Sequence, residues 1–273
     1  MALITLTTDF GLKDPFVGMM KGVIYSINGS AQIVDISHGI TSQDILEATF
    51  VISTSYRFFP ERTIHLVIVD PGVGGRRRPI LVKASGHYFM GPDNGALSWV
   101  IDADPAVRVI EVTAEEYFLK NVSATFHGRD IFAPVAAWFS KGVEPDSFGH
   151  EIHDYVRLDV PKITEGTNYI SGSVLYIDRF GNMITNISAG ALNHLMPPGI
   201  SASNISIRVG GVDIVGLKRY YAEAEAGAGE PGAIISSFDL LEIYVYMGNA
   251  SKTLNVGKGD IVEVRRQDEG RFN

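Results

Sequence analysis

Four short runs rich in β-branched residues constrain this chain most: residues 3–8 (LITLTT), 32–36 (QIVDI), 63–70 (TIHLVIVD) and 80–84 (ILVKA). The first three lie about 25 to 30 residues apart, room enough for a helix between each pair. Asp14 to Ile27 and Asp44 to Phe59 carry the pattern, the second with Ile45, Ala48, Ile52 and Tyr56 at helical spacing behind the cap candidates Thr41 and Ser42. Strand and helix in alternation predict a mainly parallel sheet with helices packed against it. A further helix is expected from about Asp130 to Ser140, with Ile131, Val135 and Trp138 or Phe139 facing inward and a stop at Gly142.

The pattern changes after the polar stretch 157–168 (RLDVPKITEGTN). Beyond it YISGSVLYID, NMITNIS, NISIRV, AIISS, LLEIYVYM and DIVEVRR follow one another as strand candidates with no convincing helix. The expectation is an α/β N-terminal domain over residues 1–157 and an all-β barrel or sandwich over 168–273, with Ala222 to Gly232 as a flexible excursion.

The 273 residues are 45% hydrophobic and 20% charged, which excludes disordered and small disulfide-stapled classes. A formal charge of −8 is the wrong sign for a nucleic-acid or anionic-membrane partner. The absence of cysteine excludes disulfides, thiolate zinc sites and cysteine nucleophiles. The start MALITLTTDFG has no basic segment followed by a long apolar run, and no stretch is apolar over the roughly 18 to 20 residues that span a bilayer, so a cytoplasmic protein is expected.

Polar residues recur where strands end. Asp9, in Thr7-Thr8-Asp9-Phe10-Gly11, follows the first run, where an open parallel sheet presents its ligand loops; it suits the paired hydroxyls of a ribose, or equally a cap or turn. Asp70 ends the third run and leads into Gly72, Gly74, Gly75 and the arginines 76 to 78. This loop can bring backbone donors and a cation to one point, or be a plain turn with solvated arginines. It is no P-loop, since the Gly-Lys-Ser/Thr ending is missing. His127 precedes the predicted helix, whose N-terminus would keep its imidazole neutral. An acid, a guanidinium and an imidazole together are a minimum set for activating water without a metal; metal binding by Asp9, Asp70 and His127 is the rival use.

In the second half, Asp178-Arg179-Phe180-Gly181-Asn182 offers a carboxylate, an aromatic face and an amide, suited to a ligand bearing an amine and a base, though also to a hairpin turn. Tyr220 and Tyr221 would point to opposite faces of a strand, so that at most one stacks on a base. Ser237 and Glu242 sit in or beside an apolar strand and need polar partners, from ligand or backbone.

Taken in order, TTDFG (7–11), VDPGVGGRRR (69–78), GPDNG (91–95), TFHGRD (125–130), DRFGN (178–182) and LLEIYVYMGNAS resemble the S-adenosylmethionine hydroxide adenosyltransferase family over nearly the whole chain. The resemblance implies the two-domain architecture and a water-activating set at Asp70, Arg77 and His127, with Arg77 chosen because it stands seven residues after the Asp. It further implies that Asp9 holds the ribose hydroxyls, Asn182 and Phe180 contact the nucleoside, and Asp178 meets the methionine amino group. Tyr221 is then the base-stacking tyrosine, and Ser237, Glu242 and the backbone near Met247 complete the contacts.

The same resemblance implies a homotrimer with its site shared between subunits, no cofactor, and hydrolysis of S-adenosylmethionine, with the (R)-sulfonium epimer as a possible physiological substrate. The related halogenases have a serine where Gly128 stands and add a loop in the N-terminal domain. Gly128 beside His127, with no insertion within 91–125, therefore points to water as nucleophile. The competing readings are a metal-dependent hydrolase and an adenosine-binding module without turnover.

Overall fold

The computed structural model describes residues 3–196, 202–223 and 229–267. The chain divides into two compact units, Met1–Asp159 and Val160–Asn273.

The first unit runs β1 (Leu3–Thr8), α1 (Phe16–Ile27), β2 (Gln32–Ser37), α2 (Ile45–Ser55), β3 (Ile64–Ile68), β4 (Pro79–Ala84), β5 (His87–Pro92), α3 (Ser98–Asp102), β6 (Arg108–Val112), α4 (Ala133–Ser140) and β7 (Gly149–Glu151). Its sheet has the order β2-β1-β3-β5-β4-β6-β7. Strands β1, β2, β3, β5 and β6 run one way, while β4 and β7 run against them, so the sheet is mixed and mostly parallel. Strand alternation explains the layers: Ile4, Leu6, Leu66 and Ile68 face α1 and α4, whereas Val67, Val69, Val82 and Phe89 face α2 and α3.

Two boundaries differ from the sequence reading. Helix α2 is capped by Asp44, whose carboxylate accepts from the Glu47 amide at 2.8 Å, and not by Thr41 or Ser42. Gln43, at φ 67°, turns the chain so that the cap falls one residue after it. The helix expected from Asp130 begins instead as a π-helical turn over Gly128–Phe132 and becomes α-helical at Ala133. Ile131 and Val135 are buried as expected, while Trp138 and Phe139 are only partly covered.

The second unit comprises β8 (Thr164–Glu165), β9 (Tyr169–Ile177), β10 (Met183–Ser188), α5 (Ala189–Leu195), β11 (Ile205–Val209), β12 (Val212–Val215), β13 (Pro231–Ile235), β14 (Leu240–Val245), α6 (Ala250–Leu254) and β15 (Ile261–Arg266). The strands follow the order β12-β11-β15-β9-β10-β14-β13, with β8 on β9. Every pair is antiparallel. A bridge from Lys218 to Ile234 joins the chain after β12 to β13, so the sheet curls into a nearly closed barrel around Val174, Ile187, Ile207, Ile243 and Val264.

The β-barrel expectation holds for the second unit, with two short helices, α5 and α6, added where the sequence showed no convincing helix. Both are short, and each is fixed by its cap: Ser188 accepts from Ala191 and Asn249 from Lys252. Residues 164 and 165, in the polar stretch between the two expected domains, pair with β9. Residues 224–228 of the expected excursion lie outside the described residues.

Candidate active site

Strand β1 lies between β2 and β3, so the chain passes from β1 to one neighbour and crosses back to the other. Helices α1 and α2 accordingly cover opposite faces. Such a reversal opens a crevice at the carboxyl ends of the two central strands, and Asp9 and Asp70 stand just past the ends of β1 and β3.

Asp9 is half-buried, and its Oδ2 accepts from the Gln43 amide at 2.8 Å. Around it, Thr8 Oγ is bonded to His38 Nδ1 at 2.9 Å, His38 Nε2 lies 3.0 Å from Asp35, and the Gly11 amide donates to the His38 carbonyl. The loop bearing Asp9 is therefore tied to the segment after β2.

The three arginines go three ways. Arg76 is exposed, and Arg78 turns to Asp93 and Asp154. Arg77 folds back on Asp70, its Nε 3.0 Å from both carboxylate oxygens and a terminal nitrogen 2.6 Å from Oδ2. That terminal nitrogen also donates to His127 Nδ1 at 2.7 Å. Arg77 and Asp70 side chains are 9% and 6% exposed, so the pair is largely out of water, where a bidentate bond is strongest.

His127 owes its position to its neighbours. Asp130, fully buried at the π-helical turn, accepts from the Ser123 amide and hydroxyl at 2.8 and 2.7 Å and from Arg129 at 2.6 Å. Ser123 in turn accepts from the Phe126 amide, which fixes the residues before His127. Gly74, at φ 77°, brings the arginine loop against this segment; a Cβ there would lie 2.1 Å from the Ala124 carbonyl oxygen. Burial, and then the Arg77 charge, hold the His127 imidazole below its usual value, against the upward pull of Asp70 and Asp130. The neutral form expected from sequence thus has a different cause from the helix terminus.

Asp70 and His127 line a small cavity of about 120 Å³ with Phe10, Phe16, Ile68, Val73, Thr125, Phe126 and Gly128. Phe126 packs edge to face on both Phe10 and Phe16, which are tilted against each other, with centroids 5.2 to 5.8 Å apart. This apolar wall beside a carboxylate and an imidazole was missed from sequence, although Phe10 and Phe126 adjoin the residues singled out. Among the described residues, no group of three or more His, Cys, Asp or Glu is placed to hold a metal, and no helix is long and apolar enough to cross a membrane.

In the second unit, Asp178 and Asn182 close the β9–β10 turn. Asp178 Oδ1 accepts from the Phe180 and Asn182 amides, both at 2.9 Å, and leaves the Phe180 ring exposed. Gly181, at φ 88°, fits under Asn249, which caps α6 near the exposed Met247. Glu242 is buried on β14, and its Oε1 accepts from Tyr221 at 2.7 Å. Burial raises the Glu242 carboxyl, with Asp178 adding to the effect and Tyr221 opposing it; burial and Glu242 raise the Tyr221 phenol. Tyr221 opens a short helical turn, not a strand, so Tyr220 and Tyr221 do not alternate across a sheet. Ser237 is exposed in the turn between β13 and β14, at the opposite end of β14 from Met247.

Fold and clusters describe a protein of the α/β-plus-barrel class with polar groups gathered at a sheet switch point and at one barrel turn. Residues 4–149 match the SAM hydroxide adenosyltransferase N-terminal domain and residues 172–263 its C-terminal domain. The chain is 36% identical to an (R)-S-adenosyl-L-methionine hydrolase of Methanocaldococcus jannaschii, covering 96% of this chain and 95% of that protein. It is 33% identical to a Thermus thermophilus protein of the same name, over 92% of this chain and 95% of the relative. The crystal structure of an uncharacterized conserved protein from Thermotoga maritima superposes with a TM-score of 0.89 at 35% identity, covering 96% of this chain and 100% of the other. The chain belongs to the SAM hydroxide adenosyltransferase family.

Proposed function

We propose that this protein hydrolyses S-adenosyl-L-methionine, with the (R)-sulfonium epimer as substrate, to adenosine and methionine. The observation that carries the reading is the bonded chain Asp70–Arg77–His127 with its two ends on one small, apolar-walled cavity. The names of the relatives support the same substrate.

In the proposed step a water oxygen forms a bond to the ribose 5′ carbon as the carbon–sulfur bond breaks, its electron pair passing to sulfur. The sulfonium leaves as a neutral thioether, so no general acid is needed, and catalysis reduces to alignment and removal of one proton from water. A guanidinium has no lone pair, so His127 Nδ1 must accept from Arg77 and its proton sits on Nε2. With that lone pair engaged, Asp70 is the acceptor for the proton of water, and His127 orients the water. Arg77 joins and polarises the two. The phenylalanine wall excludes bulk water and strengthens these interactions.

Asp9 holds the ribose hydroxyls, and Asp178, Phe180, Asn182, Tyr221, Glu242 and the Met247 backbone hold the nucleoside and the methionine part. Ser237, exposed in the turn between β13 and β14, completes this set. The proposal includes a cytoplasmic homotrimer that completes the site and a reaction that needs no metal or cofactor. A Cβ at Gly128 would stand 3.2 to 3.4 Å from Phe126, Met20 and Ile68, leaving little room for a halogenase-type serine.

Purified, chelator-treated protein incubated with mixed S-adenosylmethionine epimers, with and without chloride, tests the reading. Adenosine and methionine formed independently of chloride, with the (R) epimer depleted first, is the expected result. A 5′-chloro nucleoside, dependence on added metal, or retained adenosine without turnover each overturns it.

A further inference from the structure

The GPDNG stretch at 91–95 takes no part in the mechanism above, yet each of its polar side chains is committed to the loop that does. Asn94 Nδ2 donates to the Val69 carbonyl at 2.8 Å, the peptide immediately before Asp70. Its Oδ1 accepts from the Ala96 amide at 3.1 Å, which fixes the side chain on its own turn. Asp93 is buried, and its Oδ2 accepts from Arg78 Nε and a terminal nitrogen at 3.0 and 2.7 Å. Its Oδ1 accepts from the Val156 amide at 2.8 Å, and its own amide donates to the Arg78 carbonyl. One turn thus grips the residue before Asp70 and the residue after Arg77.

The two glycines make that turn possible. A Cβ at Gly91 would lie 2.5 Å from the Val67 carbonyl oxygen, so only glycine lets β5 run this close to the end of β3. Gly95 sits at φ 95°, with the Leu158 backbone where a Cβ would point.

The gripped segment needs such an anchor. Between Val69 and Arg78 the chain forms a glycine-rich loop, mostly exposed from Pro71 to Arg76. The Asp70–Arg77 bond joins the two ends of that loop, so its geometry depends on where the ends are held. We infer that Asp93 and Asn94 are positioning residues, which fix Asp70 and Arg77 at the separation their bidentate bond and the contact to His127 require. The catalytic consequence rests on the hydrolase reading; the geometric one does not.

Asn94→Asp tests the inference, because it keeps the acceptor for Ala96 and removes the donor to Val69. Arg78→Lys is the companion variant: it keeps the charge but loses the paired bond to Asp93 from a partly exposed position. Two readouts are taken on folded protein: kcat and KM for S-adenosylmethionine, and the rate at which the Arg77 Nε–H exchanges, followed as its proton–nitrogen NMR signal. A displaced reacting group costs on the order of 10²-fold in rate. The expected result is therefore a kcat lowered by about ten- to a hundredfold, KM within about threefold, and faster exchange of the Arg77 signal. Kcat within twofold of the parent and an unchanged Arg77 signal in both variants would overturn the inference. Should the parent protein fail to cleave the substrate, the hydrolase reading falls, and the Arg77 signal still decides whether Asp93 and Asn94 hold the loop.

Discussion

His127 Nδ1 lies 2.7 Å from the terminal nitrogen of Arg77 that also meets Asp70. Because the guanidinium only donates, this contact exists solely while the imidazole is neutral, and a proton on Nδ1 would break it. The protonation state of His127 and the integrity of the cluster are one equilibrium.

The pH dependence of turnover follows. Burial and Arg77 hold His127 below the ordinary 6.5, so the neutral form persists as pH falls to that value. Kcat is expected to stay level from about pH 8 down through 6.5 and to decline only below it. A kcat profile whose acid limb has its midpoint above 6.5 would reject the neutral assignment.

Asp70→Asn should cost stability as well as rate. It leaves the Arg77 guanidinium, 9% exposed, without its carboxylate, a loss of about 3–5 kcal/mol for a buried charge. Adding Arg77→Met removes the stranded charge, so the double variant should regain most of the stability but none of the activity. Urea unfolding and product assays on the single and double variants check both halves.

A separate acid-sensitive element lies within the first unit. His65 is fully buried, bonded to Thr5 at 2.7 Å and to His87 at 3.2 Å. Burial, with His87 beside it, pushes the His65 imidazole down to about 3, and burial also lowers His87. For a base whose folded value lies below its unfolded value, stability is fully present above the unfolded 6.5 and is lost as pH falls from there toward 3. The slope is about 1.4 kcal/mol per pH unit for each proton taken up on unfolding. Denaturation measured between pH 6 and 4 should show this slope, and His65→Phe should flatten it; a variant with the parent slope would remove His65 as the cause.

Gly74 and Gly142 separate steric need from backbone need. Both have positive φ, but a Cβ at Gly142 meets nothing within 4 Å, whereas at Gly74 it meets the Ala124 carbonyl oxygen at 2.1 Å. Gly142→Ala should cost about 1 kcal/mol from backbone strain alone. Gly74→Ala should cost more and lower kcat, since it pushes the arginine loop off the His127 segment. Equal melting shifts and full activity in both would show that the loop relaxes freely.

Much of the first unit was legible because its strands are continuous apolar runs with helical intervals, a pattern that depends only on neighbours in sequence. The same local logic located Asp9 and Asp70, since a polar residue after an apolar strand marks the edge of a parallel sheet. It failed for α5 and α6, which are too short to show a period and are held by Ser188 and Asn249 caps. It also misplaced the α2 cap, because Thr41, Ser42 and Asp44 all offered capping oxygens and the left-handed turn at Gln43 decided among them.

The sequence by itself determined the alternation of strands and helices in the first unit, how the polar residues are grouped along the chain, and that these motifs in this order belong to one family. The tertiary structure decided which of three adjacent arginines meets Asp70, and that His127, fifty residues further on, completes the contact. It also decided that Asp93 and Asn94 brace the loop between them. Each of those outcomes depends on strand order and on hydrogen bonds between groups brought together only when the sheet closes. Neighbouring arginines are chemically identical in sequence, and only the direction each side chain takes from the folded backbone tells them apart.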